Sequence, residues 1–176
     1  MKYDVFISYR RGESGTPRAK ALGAVLEKKG YLVFIDTRKM GSGDFTKSLE
    51  EKVRESCNFV IVLSDNCFPH TNEGKDYFLY EISLAIRLGK NVIPVYYGEV
   101  TYDKIKDYLV GIEDFNNLNY IIYHDDDDEG SDEQLISFLK TREEVLHDRF
   151  KSLAKEKTSV REEIALLEES MYMQNK

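Results

Sequence analysis

Five short runs of apolar, β-branched and aromatic residues punctuate the chain: VFISY (5–9), YLVFID (31–36), NFVIVLS (58–64), NVIPVYY (91–97) and NYIIYH (119–124). The middle runs are almost unbroken in apolar character, which is the pattern of strands covered on both faces, as in parallel sheets. Between the runs the period becomes helical. Thr16-Pro17 offer an N-cap and a proline at the first helical position, Ala21, Leu22, Val25 and Leu26 form a stripe, and Gly30 stops it. Asp44 can cap a second helix with Phe45, Leu49 and Val53 on one face; Asp76 can cap a third, which Gly89 ends. A short helix near 102–110 and a loop through Asn116-Asn117 fill the fourth connection, and SDEQLISFLKTR (131–142) is the last helix of the series. Five strands alternating with helices predict a doubly wound α/β parallel sheet. Such sheets bind ligands outside the carboxyl ends of their strands, where the strand order reverses. Here those ends are Tyr9-Arg10-Arg11, Asp36 to Phe45, and Ser64 to Asp76.

The third helix carries one misfit. With Tyr77 at the origin of a helical wheel and about 100° per residue, Leu84, Leu88, Ala85 and Phe78 form an apolar stripe, and Glu81 falls at about 40°, inside it. A glutamate is almost never buried without a partner. This one begins a turn or two from where a ligand belongs.

From residue 143 the pattern changes. Leu146, Phe150, Leu153, Val160, Ile164, Leu167 and Met171 follow alternating spacings of four and three, with Lys157 in the one vacancy. Three readings fit this tail: about three heptads of coiled coil, one amphipathic helix packed on the domain, or a break at Ser159, where Ser159 and Glu162 make a capping box.

Composition narrows the function classes. The 176 residues are 41% hydrophobic and 32% charged, with a net charge of −7. That balance suits a soluble domain and argues against nucleic-acid or anionic-membrane partners. The run Asp125 to Glu129 is expected to be a solvated, self-repelling loop. Cys57 and Cys67 have no zinc-type spacing and are expected to be buried small side chains; His70, His124 and His147 are scattered and expected at the surface. No signal segment is visible, and no apolar run approaches the ~18 residues of a membrane span, so the expected location is cytoplasmic. A P-loop and a GxGxxG dinucleotide fingerprint are missing. The first strand ends in two arginines, where a phospho-acceptor receiver domain would want acidic residues.

Four blocks carry a family resemblance: YDVFISYRR (3–11), GYLVFIDTRKMGSGDF (30–45), NFVIVLSDNCF (58–68) and DYFLYEISLAIRLGKNVIPVYY (76–97). In order and spacing they resemble the TIR domain. The resemblance implies a five-stranded, flavodoxin-like doubly wound sheet over 1–142, with 143–176 a C-terminal helical extension. Some TIR domains only assemble; others cleave NAD+, releasing nicotinamide and leaving ADP-ribose or a cyclised form. The second kind carries a catalytic glutamate on this helix in a W-x-x-x-E pattern, and here the pattern is Tyr77-x-x-x-Glu81. Tyrosine replaces the tryptophan, and Gly41 stands where the axon-degeneration branch has a further glutamate.

The resemblance implies further roles. Tyr9, Arg10 and Arg11 would line the substrate pocket, Asp36, Lys39, Gly43 and Phe45 would belong to the mobile loop beside the nucleotide, Ser64 would lie near the ribose, and Tyr77 would supply the aromatic wall. Other roles fit the same residues: surface solvation for Arg10 and Arg11, core packing for Phe45, a strand-end turn for Ser64, and a paired structural acid for Glu81. NAD+ would be substrate, with no cofactor and no metal; other TIR domains would be partners through self-association, and the setting would be bacterial immune signalling. The alternatives are a non-catalytic interaction module and a nucleoside-processing transferase of related fold.

Overall fold

The computed structural model describes residues 1–35, 44–68, 76–112 and 115–174; of 44–47, 156 and 161–174 it describes the backbone alone. The chain forms two compact units, Met1–Arg142 and Glu143–Lys176.

In the first unit the strands are β1 (Tyr3–Tyr9), β2 (Val33–Ile35), β3 (Ser56–Leu63), β4 (Asn91–Tyr97) and β5 (Ile121–Tyr123). They form one parallel sheet in the order β2-β1-β3-β4-β5. The order reverses between β1 and β3, where Ser8 lies beside Ile61 and Tyr9 beside Val62. That is where a doubly wound sheet opens a crevice. The helices are α1 (Gly15–Lys28), α2 (Asp44–Glu55), α3 (Tyr77–Arg87), α4 (Tyr102–Ile105) and α5 (Asp128–Phe138).

Each face of the sheet has its own core. Phe6, Phe59, Ile61 and Leu63 pack with Leu49 and Val53 of α2 and Phe78 and Ile82 of α3. Val5, Ile7, Val60 and Val62 pack with Ala19, Leu22 and Leu26 of α1 and Leu135 of α5. The alternation along β1 is the two-residue period of a strand. Strand β3 is buried at every position, which is why its sequence shows no polar alternation.

Several expected boundaries move. Helix α1 starts at Gly15, ahead of the expected Thr16-Pro17 start, and Ser14 at its N-cap makes no capping bond. The Thr16 hydroxyl instead accepts from the Gly12 N–H at 3.2 Å. The early start brings the helix against the end of β1, where a Cβ on Gly15 would lie 2.1 Å from the Arg10 carbonyl oxygen. Strand β2 is shorter than the expected 31–36, and residue 36 lies outside the described residues. The predicted helix near 102–110 is α4 followed by a 3₁₀ turn at Lys106–Tyr108, and Phe115–Asn117 is another 3₁₀ turn.

The acidic run is not simply a loop. Asp127 caps α5 by accepting from the Gly130 N–H at 3.2 Å, and Asp128 and Glu129 form its first turn, where the helix dipole favours negative charge. Gly30 and Gly89 end α1 and α3 with φ of +95° and +62°, a region that costs glycine little.

At the amino-terminal end of the sheet two asparagines form a lock. The Asn58 amide donates to the Asp4 carbonyl at 2.8 Å and the Lys140 carbonyl at 3.0 Å, and its oxygen accepts from the Lys140 N–H at 2.8 Å. The Asn91 amide donates to that same oxygen at 2.7 Å and to the Phe138 carbonyl at 2.8 Å.

The described residues of the second unit belong to one helix, α6 (Arg142–Gln174), which has no break at Ser159. Leu146, Phe150, Leu153 and Val160 are exposed along it. Among the described residues no helix is long and apolar enough to cross a membrane.

Gly15→Ala forces a methyl group onto a backbone oxygen that cannot rotate away. We expect a loss of about 1–3 kcal/mol of stability, measured as a lower urea midpoint with an unchanged slope.

Candidate functional site

The crevice is built from three chain segments that meet at the carboxyl ends of β1 and β3. The first is Ser8 to Arg10. Ser8 is buried on the face of β1 that carries α3, and its hydroxyl donates to Glu81 Oε2 at 2.5 Å. Tyr9, one residue on, packs into the core of the opposite face. Arg10 leaves the strand and turns inward. Its Nε donates to the Cys67 carbonyl at 2.8 Å, its Nη2 makes a short ion pair with Asp76, and its guanidinium carbon sits 5.5 Å from the Phe78 ring centroid. Arg11 is exposed.

The second segment is the turn after β3. Ser64 is buried, and its carbonyl accepts from the Cys67 N–H at 2.9 Å. Asn66 adopts a φ of +59°, a left-handed conformation that asparagine tolerates better than most residues. The reversal aims the Cys67 carbonyl at Arg10. The Ser64 hydroxyl lies on the α1 side, 3.4 Å from the Cβ position of Gly15. Burial pushes the Cys67 thiol up to about 11, although Arg10 opposes the shift.

The third segment is α3. Asp76 caps it as the sequence suggests, accepting from the Phe78 and Leu79 N–H groups at 3.0 and 3.3 Å. One carboxylate thus serves the helix end and Arg10 together. Tyr77 opens the helix and is partly buried. Glu81, one turn later on the same side, is only 9% exposed. Phe78, Ile82, Leu84 and Ala85 are buried around it, so the wheel placed the carboxylate correctly, and it missed Ile82. On the outer side the Tyr80 hydroxyl donates to Glu50 of α2, a bond that raises the Tyr80 pKa.

The structure therefore brings Glu81, Tyr77 and Arg10 to one end of the sheet and places Tyr9 and Ser64 toward its α1 face. Asp36, Lys39 and Gly43 lie outside the described residues, as does the side chain of Phe45. Sequence reasoning missed Ser8. Its signal was its place on β1, one residue before Tyr9 and two after Phe6, which puts it on the face of the misfit helix. A separate recess of 350 Å³ lies by β4 and β5, lined by Tyr96, Tyr102, Phe115 and Tyr120 among others. Among the described residues its lining has no carboxylate, and burial pushes Tyr96 up to about 12.

These features define a doubly wound α/β domain with a carboxylate held at its topological switch point. The chain belongs to the TIR domain family, whose model matches residues 5–136. Its curated relatives include the NAD(+) hydrolase sarm1 of Drosophila melanogaster, 30% identical over 148 residues, which is 81% of this chain and 11% of that protein. The NAD(+) hydrolase SARM1 of Danio rerio is 39% identical over 95 residues, 52% of this chain and 13% of that protein. The chain spans only a small part of the length of these relatives. A TIR-STING receptor from C. gigas, solved in complex with 2′,3′-cGAMP, shares the fold with a TM-score of 0.58 at 21% identity, over 78% of this chain and 40% of that one.

Two measurements check this geometry. Ser8→Ala takes a hydroxyl donor from a buried carboxylate, which costs about 1–3 kcal/mol; in a Glu81→Ala background the same change should cost much less, and denaturation of the four proteins gives the coupling. Cys67 and Cys57, both buried with thiols pushed upward, should resist alkylation at neutral pH in the folded protein and react on unfolding, as followed by mass spectrometry.

Proposed function

We propose that this TIR domain cleaves NAD+ at the bond between ribose and nicotinamide, with Glu81 as the catalytic carboxylate. The observation that carries the proposal is a nearly buried glutamate at the switch point, hydrogen-bonded to Ser8 and placed one turn after Tyr77. The curated relatives, named as NAD(+) hydrolases, support the substrate class.

One carboxylate suffices for this reaction. Most glycosidases need a second carboxyl group to protonate the leaving group. Nicotinamide in NAD+ is already cationic: as the C1′–N bond breaks, its electron pair returns to the ring nitrogen and the group leaves neutral. Positive charge develops on the ribosyl carbon and ring oxygen. A fixed carboxylate beside them, in a site poor in water, stabilises that charge. Water then adds to C1′ and loses a proton to give ADP-ribose, or an adenine nitrogen of the same molecule adds to give a cyclic isomer.

In this proposal Tyr77 lies along the sugar and nicotinamide, and Arg11 and the segment 36–45 contribute on the nucleotide side. Assembly with other TIR domains and a role in immune signalling are carried over from the family. The observation that favours a non-catalytic interaction module instead is tyrosine where the NAD+-cleaving members carry tryptophan.

The test is nicotinamide release from NAD+ by concentrated wild-type protein beside Glu81→Gln. Wild type should release nicotinamide, and the folded variant should be slower by about 100-fold or more. Chromatography of the wild-type reaction separates linear from cyclic product. No release by either protein would favour the interaction module, and equal release by both would remove Glu81 from the catalytic role.

A further inference from the structure

We propose that Arg10 is a positioning residue: it fixes the first turn of α3, and with it the carboxylate of Glu81, and does not hold a substrate anion. The proposal rests on the reading of Glu81 as the acting carboxylate. An arginine at a strand end beside a nucleotide crevice would ordinarily be assigned to a phosphate, and the family resemblance implied that Arg10 lines the substrate pocket. The geometry points elsewhere. Two sides of the guanidinium fork are committed within the protein, one to the Cys67 carbonyl at 2.8 Å and one to Asp76, and its face lies over Phe78.

These three partners belong to the two segments that must stay in register for the site to exist. Cys67 lies in the turn after β3, and Asp76 and Phe78 are the cap and first turn of α3. Between the two segments, 69–75 lie outside the described residues. Arg10 thus ties the end of β1 directly to the start of α3. Glu81 stands five residues after Asp76, and its partner Ser8 stands two residues before Arg10. The clamp and the Ser8–Glu81 bond therefore join the same strand to the same helix at two heights. A helix start that drifts when the clamp opens carries the carboxylate away from its donor.

The test measures kcat and KM for NAD+ cleavage by wild type, Arg10→Gln, Asp76→Asn and the double variant, with thermal unfolding of each. Asparagine keeps the helix cap and removes the charge that Arg10 meets, so Asp76→Asn isolates the clamp from the cap. We expect both single variants to lower kcat by about ten-fold with KM within about two-fold, and the double variant to be no worse than either, because both changes open one contact. A KM raised about ten-fold by Arg10→Gln, with Asp76→Asn close to wild type, would assign Arg10 to the substrate and overturn the proposal. So would single effects that multiply in the double variant, or no effect in either.

If wild type itself releases no nicotinamide, the functional reading falls, and hydrogen exchange judges the clamp alone. Faster exchange at the Phe78 and Leu79 amides in both single variants, with β1 and β3 unchanged, supports the clamp. Unchanged exchange there rejects it.

Discussion

A carboxylate almost wholly removed from water constrains everything around it. Leaving an ionised group buried without partners costs several kcal/mol, more than a marginally stable domain can spare. The Glu81 carboxylate therefore requires a donor that does not move, and the Ser8 hydroxyl meets that requirement because of where it stands. It projects from β1, which is paired to β2 on one side and to β3 on the other. The helix that carries the glutamate is in turn held by its cap, by Arg10 and by Tyr80. The buried Ser8–Glu81 contact is thus supported from the sheet on one side and from the capped helix on the other.

The two-residue period of a strand divides the opening motif between two jobs. Phe6 and Ser8 face α2 and α3; Ile7 and Tyr9 face α1. The same division operates at the end of β3, where Leu63 enters the α3-side core and the Ser64 hydroxyl approaches α1. Residues adjacent in the motif are therefore on different sides of the sheet. Only Arg10, beyond the last sheet pair, is free of the alternation and can turn toward the helix.

Much of this was legible from pattern. The five strands follow from β-branched runs, and the buried face of α3 follows from its period, because both depend on neighbours only a few residues away. Glu81 stood out for the same reason: it breaks a local rule. Ser8 did not, since a serine in a strand breaks no rule and gains its meaning from a glutamate 73 residues later. Arg10 fitted either the substrate pocket or a solvated surface, and its pairing with Asp76, 66 residues later, is not visible in local pattern. A carboxylate has two oxygens, and the structure uses one for the cap and the other for the guanidinium. The starts of α1 and α5 were misplaced because each depends on a close approach or a cap that composition alone does not reveal.

The asparagine lock has its own consequence. Asn58 holds the Lys140 backbone, while Ser64, six residues along the same strand direction, marks the crevice end. At roughly 3.3 Å per strand residue the two lie about 20 Å apart. The first unit therefore presents its outgoing chain at one pole and its candidate chemistry at the other. A domain with that polarity keeps its outgoing chain bond a full strand length from its candidate chemistry, so a reporter fused directly after Arg142 is joined at the far pole.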